Sequence, residues 1–460
     1  MTRRAARRSA LPPIALIGTY VPRACGIATF TRDLRDALVE AGPPREDASP
    51  YVVALDHGAL DPRRYPPEVA FRLPRGEPEA LERVRAGLDD EGVRVVSLQH
   101  EFGIYGGRTG REVLGLASAL TAPVVTTFHT VLAHPRPSQR EVMSRLAGSS
   151  ARVVVMTERG RALLTGVYGV PRAKVAVIPH GVPDLPFGNP DLAKAAVDLA
   201  GRRVVLSFGL LSPNKGLELA IDALAAVVDA VPEVMLVIAG RTHPEVRHRH
   251  GEVYRRGLVA RSAGLGLTDH VRFVNRFLEP DELAAWLAAT DVFVTPYGDV
   301  AQITSGTLAY AVAAGAAVVS TPYEHAVELL ADGRGVLVPF RDAAALGAAF
   351  TRLLTDDAAR DAMRRRAWLH GRGMVWPAVG AEYRALFREV LAERKEAVAA
   401  ASAVAAVLPP GPATPSHAAP SPRTPAAPRA GALAPLAPVA RRHLDRLWTP
   451  STMSARDSDS

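Results

Sequence analysis

Two series of short, almost wholly apolar runs constrain this chain more than any other feature of its sequence. The first is IALIG (14–18), YVVAL (51–55), VRVVSLQ (93–99), PVVTTF (123–128), RVVVMT (152–157) and VAVIP (175–179). The second is RVVLSF (203–208), VMLVIA (234–239), VRFV (271–274), VFVTP (292–296), AVVST (317–321) and GVLVP (335–339). A strand with one wet face alternates apolar and polar residues. Runs that are apolar at every position belong to strands covered on both faces, as in a parallel sheet flanked by helices. Helical patterns lie between them: Ile27, Phe30, Leu34 and Leu38 recur on one face, and GLELAIDALAAVVDAV (216–231) reads as another helix. The pattern predicts an α/β chain of two doubly wound halves, 14–185 and 202–375. A linker rich in Pro, Gly and Asp joins them at 186–201, and the ligand is expected in the cleft outside the strands' carboxyl ends.

The ends of the chain are of a different kind. WPAVGAEYRALFREVLAERK places Val379, Tyr383, Leu386, Phe387 and Val390 on one side of a helix over 376–396, expected to pack back on the body. From 397 to 460 the sequence is rich in Ala, Pro and Ser and is expected to be disordered; within it VARRHLDRLW (439–448) could form a short partner-binding or membrane-surface helix, with a functionless tail as the plainer reading. Residues 1–13 form a basic extension whose apolar continuation, IALIG, is too short for a signal peptide. No uninterrupted apolar stretch approaches the roughly 18 residues of a membrane span. The single cysteine, Cys25, rules out an internal disulfide framework and fits a cytoplasmic location. A formal charge of +8 suits acidic ligands or peripheral contact with an anionic membrane. Nucleic acid is not an expected partner: no finger, basic zipper or aromatic RNA-binding signature is present, and aromatic content is 6%.

Four loops at predicted strand ends carry the candidate chemistry. TYVPRACGIAT (19–29) is a glycine turn before a helix, where the backbone N–H groups near Gly26 suit a phosphate or line an acceptor pocket; it lacks GxGxxG, which disfavours a nicotinamide dehydrogenase. QHEFGIYGG (99–107) and FHT (128–130) offer His100, Glu101 and His129, either for hydrogen bonds to sugar-like hydroxyls or for one of them to act as a base; structural histidines are the plainer alternative. SFGLLSPNKG (207–216) places Lys215 at a helix start, where its charge adds to the helix dipole and suits a diphosphate. In DVAQITSGTLAY (299–310), Ser305 is a predicted N-cap and Gly315 a predicted stop for the helix that follows. Gln302 offers a donor and an acceptor, while Ser305, Gly306 and Thr307 allow close backbone approach. An ordinary βαβ connection would account for any one of these loops. Their convergence on one cleft favours a site.

Taken together, the glycine turn at Gly26, FHT, IPHGV (178–182, where relatives usually read IPNGV), SFGLLSPNKG, and TLAYAVAAGAAVVST followed by Glu328 and GRGVLVP resemble the family 4 retaining glycosyltransferases of the GT-B fold, over roughly residues 14–395. The resemblance implies two Rossmann-like domains facing a cleft, an acceptor side at 14–185 and a donor side at 202–375. It implies transfer of a hexose from a GDP- or UDP-linked sugar to a carbohydrate or glycoconjugate acceptor with retention of configuration. No metal and no cofactor beyond the nucleotide sugar would be needed; the only Asp-x-Asp, Asp457 and Asp459, lies in the tail. Lys215 would grip the diphosphate and His129 would touch the donor sugar or reacting centre. The donor-binding set is then Gly26, Lys215, Gln302, Ser305, Gly306, Thr307 and Tyr310, with His100, Glu101 and His180 as substrate-binding candidates. The chain departs from the family pattern in three places. Gln302 and Tyr310 stand where relatives place a Glu-x7-Glu pair, and Leu210 stands where an arginine commonly follows the glycine. These departures favour, as the alternative, a non-catalytic carbohydrate- or nucleotide-binding GT-B protein.

Overall fold

A computed structural model describes residues 12–407, apart from 43–48, 57, 59–60 and 108. The apolar runs form two wholly parallel sheets. In the first, β1 (Ile14–Gly18), β2 (Tyr51–Asp56), β3 (Val69–Pro74), β4 (Val95–His100), β5 (Val124–Phe128), β6 (Arg152–Val155) and β7 (Val175–Val177) take the order β3-β2-β1-β4-β5-β6-β7. In the second, β8 (Arg203–Phe208), β9 (Val234–Ala239), β10 (Val271–Val274), β11 (Val292–Thr295), β12 (Ala317–Ser320) and β13 (Gly335–Leu337) take the order β10-β9-β8-β11-β12-β13. Both orders reverse direction next to the first strand of the sheet, which is the doubly wound, Rossmann-like arrangement. β1, β4 and β5 are buried along their whole length, so apolar burial on both faces selects strand here.

One strand escaped the sequence pattern. β3, VAFRLP, is an edge strand whose residues alternate between half-buried and exposed over its first four positions, and its register against β2 shifts between Val52 and Val53. A strand covered on one side alone does not read as a continuous apolar run.

Two expectations at the ends of the halves need correction. The segment 186–201 contains the helix Pro190–Ala193 and the 3-10 turn Lys194–Val197, and Val197 and Leu199 pack into the core of the second half. Its anchor is Lys194, 1% exposed, whose Nζ lies 2.8 Å from the Asp291 carboxylate at the start of β11. A buried ammonium requires such a partner, and the lysine was not legible as buried in a polar stretch. The last helix runs over Trp376–Val407 rather than ending at 396. Its predicted stripe holds: Val379, Tyr383, Leu386, Phe387 and Val390 are buried against Leu16, Phe30, Leu34 and Leu38 of the first half. The tail from 408 onward, including 439–448 and Asp457 and Asp459, and the basic extension up to residue 11 lie outside the described residues. Among the described residues no helix is long and apolar enough to cross a membrane.

The chain passes between the halves twice, side by side. Val182 N donates to Met374 O and Trp376 N donates to Val182 O. A Cβ on Gly181 would fall 2.2 Å from the Trp376 ring, so the glycine of IPHGV is the residue that lets the outgoing and returning chains touch.

Candidate functional site

The strand orders locate the site before any side chain is considered. In an open parallel sheet, the helices that follow two neighbouring strands diverge at the point where the order reverses, and a crevice opens beyond their carboxyl ends. Here those pairs are β1 with β4 and β8 with β11. Gly26, Glu101, Lys215, Gln302, Ser305, Gly306 and Thr307 all lie on the segments leaving these four strands, and His129 follows the neighbouring β5.

In the first half, buried Gln99 organises the strand ends. Its Nε2 donates to Ser97 Oγ at 3.2 Å, leaving Oε1 to accept from His129 Nε2 at 3.0 Å. That bond puts the His129 proton on Nε2 and leaves Nδ1 as an acceptor. Loss of hydration, with His180 and His100 nearby, lowers the His129 pKa to about 3, so the ring is neutral near pH 7 and suits hydrogen bonding to a hydroxyl better than proton abstraction. Glu101 accepts from Phe102 N at 2.8 Å and from Thr130 Oγ1 at 2.6 Å, tying the loop after β4 to the loop after β5; burial raises its pKa. Gly26 opens the helix Gly26–Glu40, whose N-cap Cys25 makes no side-chain cap bond, and nothing lies within 4 Å of a Cβ placed there.

His100 is not where a substrate-binding residue would be. It is fully buried, enclosed by the rings of Phe102, Tyr105 and Phe128 at 5.1–6.1 Å, and neither ring nitrogen has a partner. Successive strand side chains point to opposite faces, so Gln99 faces His129 while His100 enters the core. Burial lowers its pKa to about 3.

In the second half, Ser305 caps the helix Gly306–Ala313: its side chain accepts from Leu308 N at 3.3 Å, while its own N–H donates to buried His325 Nδ1 at 2.8 Å. Gly315 ends the helix at φ +72°, the left-handed conformation expected of a C-terminal stop. Thr307 Oγ1 pairs with the Tyr297 hydroxyl at 2.8 Å, and the Lys215 ammonium sits 3.8 Å over the Tyr297 ring. Among the described residues Lys215 has no carboxylate partner. The Gln302 amide donates to Thr304 O at 2.5 Å, within its own loop. Tyr297 and His325 were missed from sequence. The available signal for Tyr297 was its place just past the end of β11, at the reversal of the strand order.

The two halves meet around Phe30. His129 and His180 contact its ring edge-on at 4.8 and 5.2 Å, and His180 in turn contacts Tyr310 at 6.1 Å. A Cβ on Gly306 would stand 2.9 Å from His180 Nε2, so the second half's helix starts against the first half's IPHGV turn and requires glycine there. His180 Nδ1 is 2.8 Å from Gly181 O, and burial lowers its pKa to about 4. Burial and the Asp33 carboxylate push the Tyr310 hydroxyl up, so it stays protonated. Further out, Glu328 accepts the N–H groups of Glu158 (2.8 Å) and Arg159 (3.1 Å) across the cleft, and Arg159 pairs with Glu324 at 2.9 Å. Among the described residues no group of three or more His, Cys, Asp or Glu side chains is placed to hold a metal ion.

Comparison with known proteins follows the same division. Residues 24–184 match the family described as Glycosyltransferase Family 4, and 202–356 match that described as Glycosyl transferases group 1. The phosphatidyl-myo-inositol mannosyltransferase of Mycobacterium leprae is 30% identical over 269 residues, 54% of this chain and 64% of that protein. Its counterpart in Mycolicibacterium smegmatis is 28% identical over 59% of this chain and 66% of that protein. The matches therefore span somewhat less than two thirds of these curated relatives. Among solved structures, sucrose-phosphate synthase from Thermosynechococcus elongatus has TM-score 0.66 at 21% identity, covering 83% of this chain and 100% of that one. HepE from Anabaena in complex with UDP has TM-score 0.64 at 17% identity, covering 82% and 100%. Two halves matched by two glycosyltransferase descriptions, in the fold these structures share, support a glycosyltransferase of the GT-B fold.

Proposed function

We propose that this chain transfers a hexose from a GDP- or UDP-linked sugar to a carbohydrate or glycoconjugate acceptor with retention of configuration. The observation that carries the proposal is Lys215: a half-buried ammonium with no carboxylate partner among the described residues, at the strand-order reversal of the second sheet, beside a helix capped by Ser305 and opened by Gly306 and Thr307. Ammonium and helix N–H groups together suit a diphosphate and the charge it gains on leaving. The acceptor hydroxyl would enter from the Gly26 and Glu101 side, with neutral His129 directing a sugar hydroxyl.

Among the described candidate site residues, none offers a free carboxylate as a nucleophile. Glu101 already accepts from Phe102 N and Thr130, and neither Gln302 nor Tyr310 is a carboxylate. This favours front-face exchange. The bond from the anomeric carbon to the diphosphate oxygen breaks, the acceptor oxygen bonds to that carbon from the same side, and its proton passes to the departing phosphate oxygen. Lys215 would provide the positive charge, so the reaction is proposed to proceed with no metal or further cofactor and to survive EDTA. A cytoplasmic location, where nucleotide sugars are made, belongs to the same proposal.

The names of the curated relatives make mannose transfer to an inositol-bearing acceptor the first reaction to assay, with GDP-linked and then UDP-linked donors. Product anomers identified by NMR test retention. A second reading, binding without turnover, is favoured by one feature: the Gln302 amide is turned onto Thr304 O at the position where the resemblance implies a carboxylate. Saturable donor binding with neither nucleotide release nor transfer across the panel would establish that reading and sink the first.

A further inference from the structure

With Leu210 where the resemblance implies an arginine, Lys215 is the only cation on the loop 209–216 that follows β8. The neighbouring strand supplies another. β9 ends at Ala239, and the chain from Gly240 to His243 runs along the Gly209–Leu211 turn: Leu211 N donates to Arg241 O, and His243 N donates to Leu211 O, both at 2.9 Å. A Cβ on Gly240, at φ +141°, would fall 1.8 Å from Gly209 O, so the two turns pack backbone to backbone. Arg241 thus leaves the backbone one strand over from position 210.

Its guanidinium is half-buried and, among the described residues, forms no ion pair or hydrogen bond, unlike neighbouring Arg247, which lies 3.6 Å from Glu252. Arg241 lines an open cavity of about 470 Å³ with Thr242, Pro244, Arg247 and His248. Burial lowers the His243 pKa, and Lys215 lies close enough to lower it further, which puts the Lys215 ammonium within electrostatic reach of this turn. Two half-buried cations, neither with a carboxylate partner among the described residues, therefore leave the two loops that pack together at Gly209–Leu211. Partly desolvated cations left without counter-charge are unfavourable until an anion arrives, and a guanidinium fork fits a phosphate in two-point fashion where an ammonium cannot.

We propose that Arg241 is the second cation of a nucleoside diphosphate site in this chain, replacing from β9 the arginine absent at Leu210. The proposal rests on the nucleotide-sugar reading above, and the test separates the two. Calorimetry is run with GDP, GMP and guanosine, and with UDP, UMP and uridine, on the full chain and on Arg241→Ala, Arg241→Gln and the double variant Leu210→Arg/Arg241→Ala. The diphosphate is expected to bind about 10- to 100-fold more weakly to both single variants, with the nucleoside unchanged. Leu210→Arg is expected to recover part of that loss. If wild type binds diphosphates no better than nucleosides, the nucleotide-sugar reading fails and this proposal with it. If wild type discriminates and the Arg241 variants bind as tightly, the proposal alone is overturned. An equal loss for nucleoside, monophosphate and diphosphate assigns Arg241 to the base or to loop integrity and also overturns it.

Discussion

The two strand-order reversals are built alike and furnished differently. Around the first, Gln99, His129, Glu101 and Thr130 form a closed set of neutral or satisfied groups, backed by buried His100 and Phe30. Around the second, Gly209, Gly216 and Gly240 hold positive φ, Gly216 and Gly240 against backbone carbonyls and Gly209 against the Thr307 side chain, and two cations lack carboxylate partners among the described residues. The difference teaches which half awaits an anion. Neutral buried groups suit hydroxyls, whereas bare backbone beside uncompensated positive charge suits phosphate.

Variants that strike the second reversal should have the largest effects. Lys215→Ala is expected to lower kcat/KM about 100- to 1,000-fold, with an unchanged circular dichroism spectrum, as loss of a charge-stabilising contact at a leaving group would; wild-type turnover would remove Lys215 from the site. Glycines then separate the halves by stability. Gly240→Ala is expected to cost at least about 3 kcal/mol, because it combines strain at positive φ with a collision against Gly209 O. Gly26→Ala has open space and is expected to stay within about 0.5 kcal/mol of wild type in denaturant titration. A larger cost at Gly26 than at Gly240 would invert the comparison.

Acid sharpens the comparison from the other side. His100, His129 and His325 have folded pKa values lowered to about 3, and His180 to about 4, against an ordinary 6.5. Below pH 6.5 the unfolded chain takes up protons that the folded chain refuses. Stability is therefore fully present above that pH and falls as pH drops toward 3, by up to about 1.4 kcal/mol per pH unit for each histidine. Urea midpoints at pH 7.5, 6.0 and 4.5 measure it. Because His100 touches no substrate in this account, His100→Phe should flatten the pH slope while leaving kcat unchanged; lost activity would return His100 to the site. A smaller cost than at Gly240 is expected across the cleft, where Glu328→Gln exchanges one of two acceptors for a donor facing a backbone N–H and should cost about 1 kcal/mol.

Much of the fold was legible because parallel strands buried on both faces leave an unmistakable apolar trace. β3 was not, because an edge strand half-exposed to water alternates, and neither was the burial of Lys194, whose partner Asp291 lies far along the chain. In the candidate site, Ser305 and Gly315 were readable because capping and left-handed stops are local chemistry. The choice between Gln99 and His100 was not, since a one-residue difference in strand phase decides which side chain faces the cleft and which the core. Tyr297, His325 and Arg241 owe their positions to strand order, and strand order is not written in any single segment.

The central claim is that the second reversal holds a nucleoside diphosphate through Lys215. Calorimetric titration of wild type and Lys215→Ala with GDP and UDP tests it most directly. The account predicts saturable binding of at least one of the two by wild type, weakened about 10- to 100-fold by the substitution. Failure of wild type to bind either, or equal affinity in the variant, would contradict it.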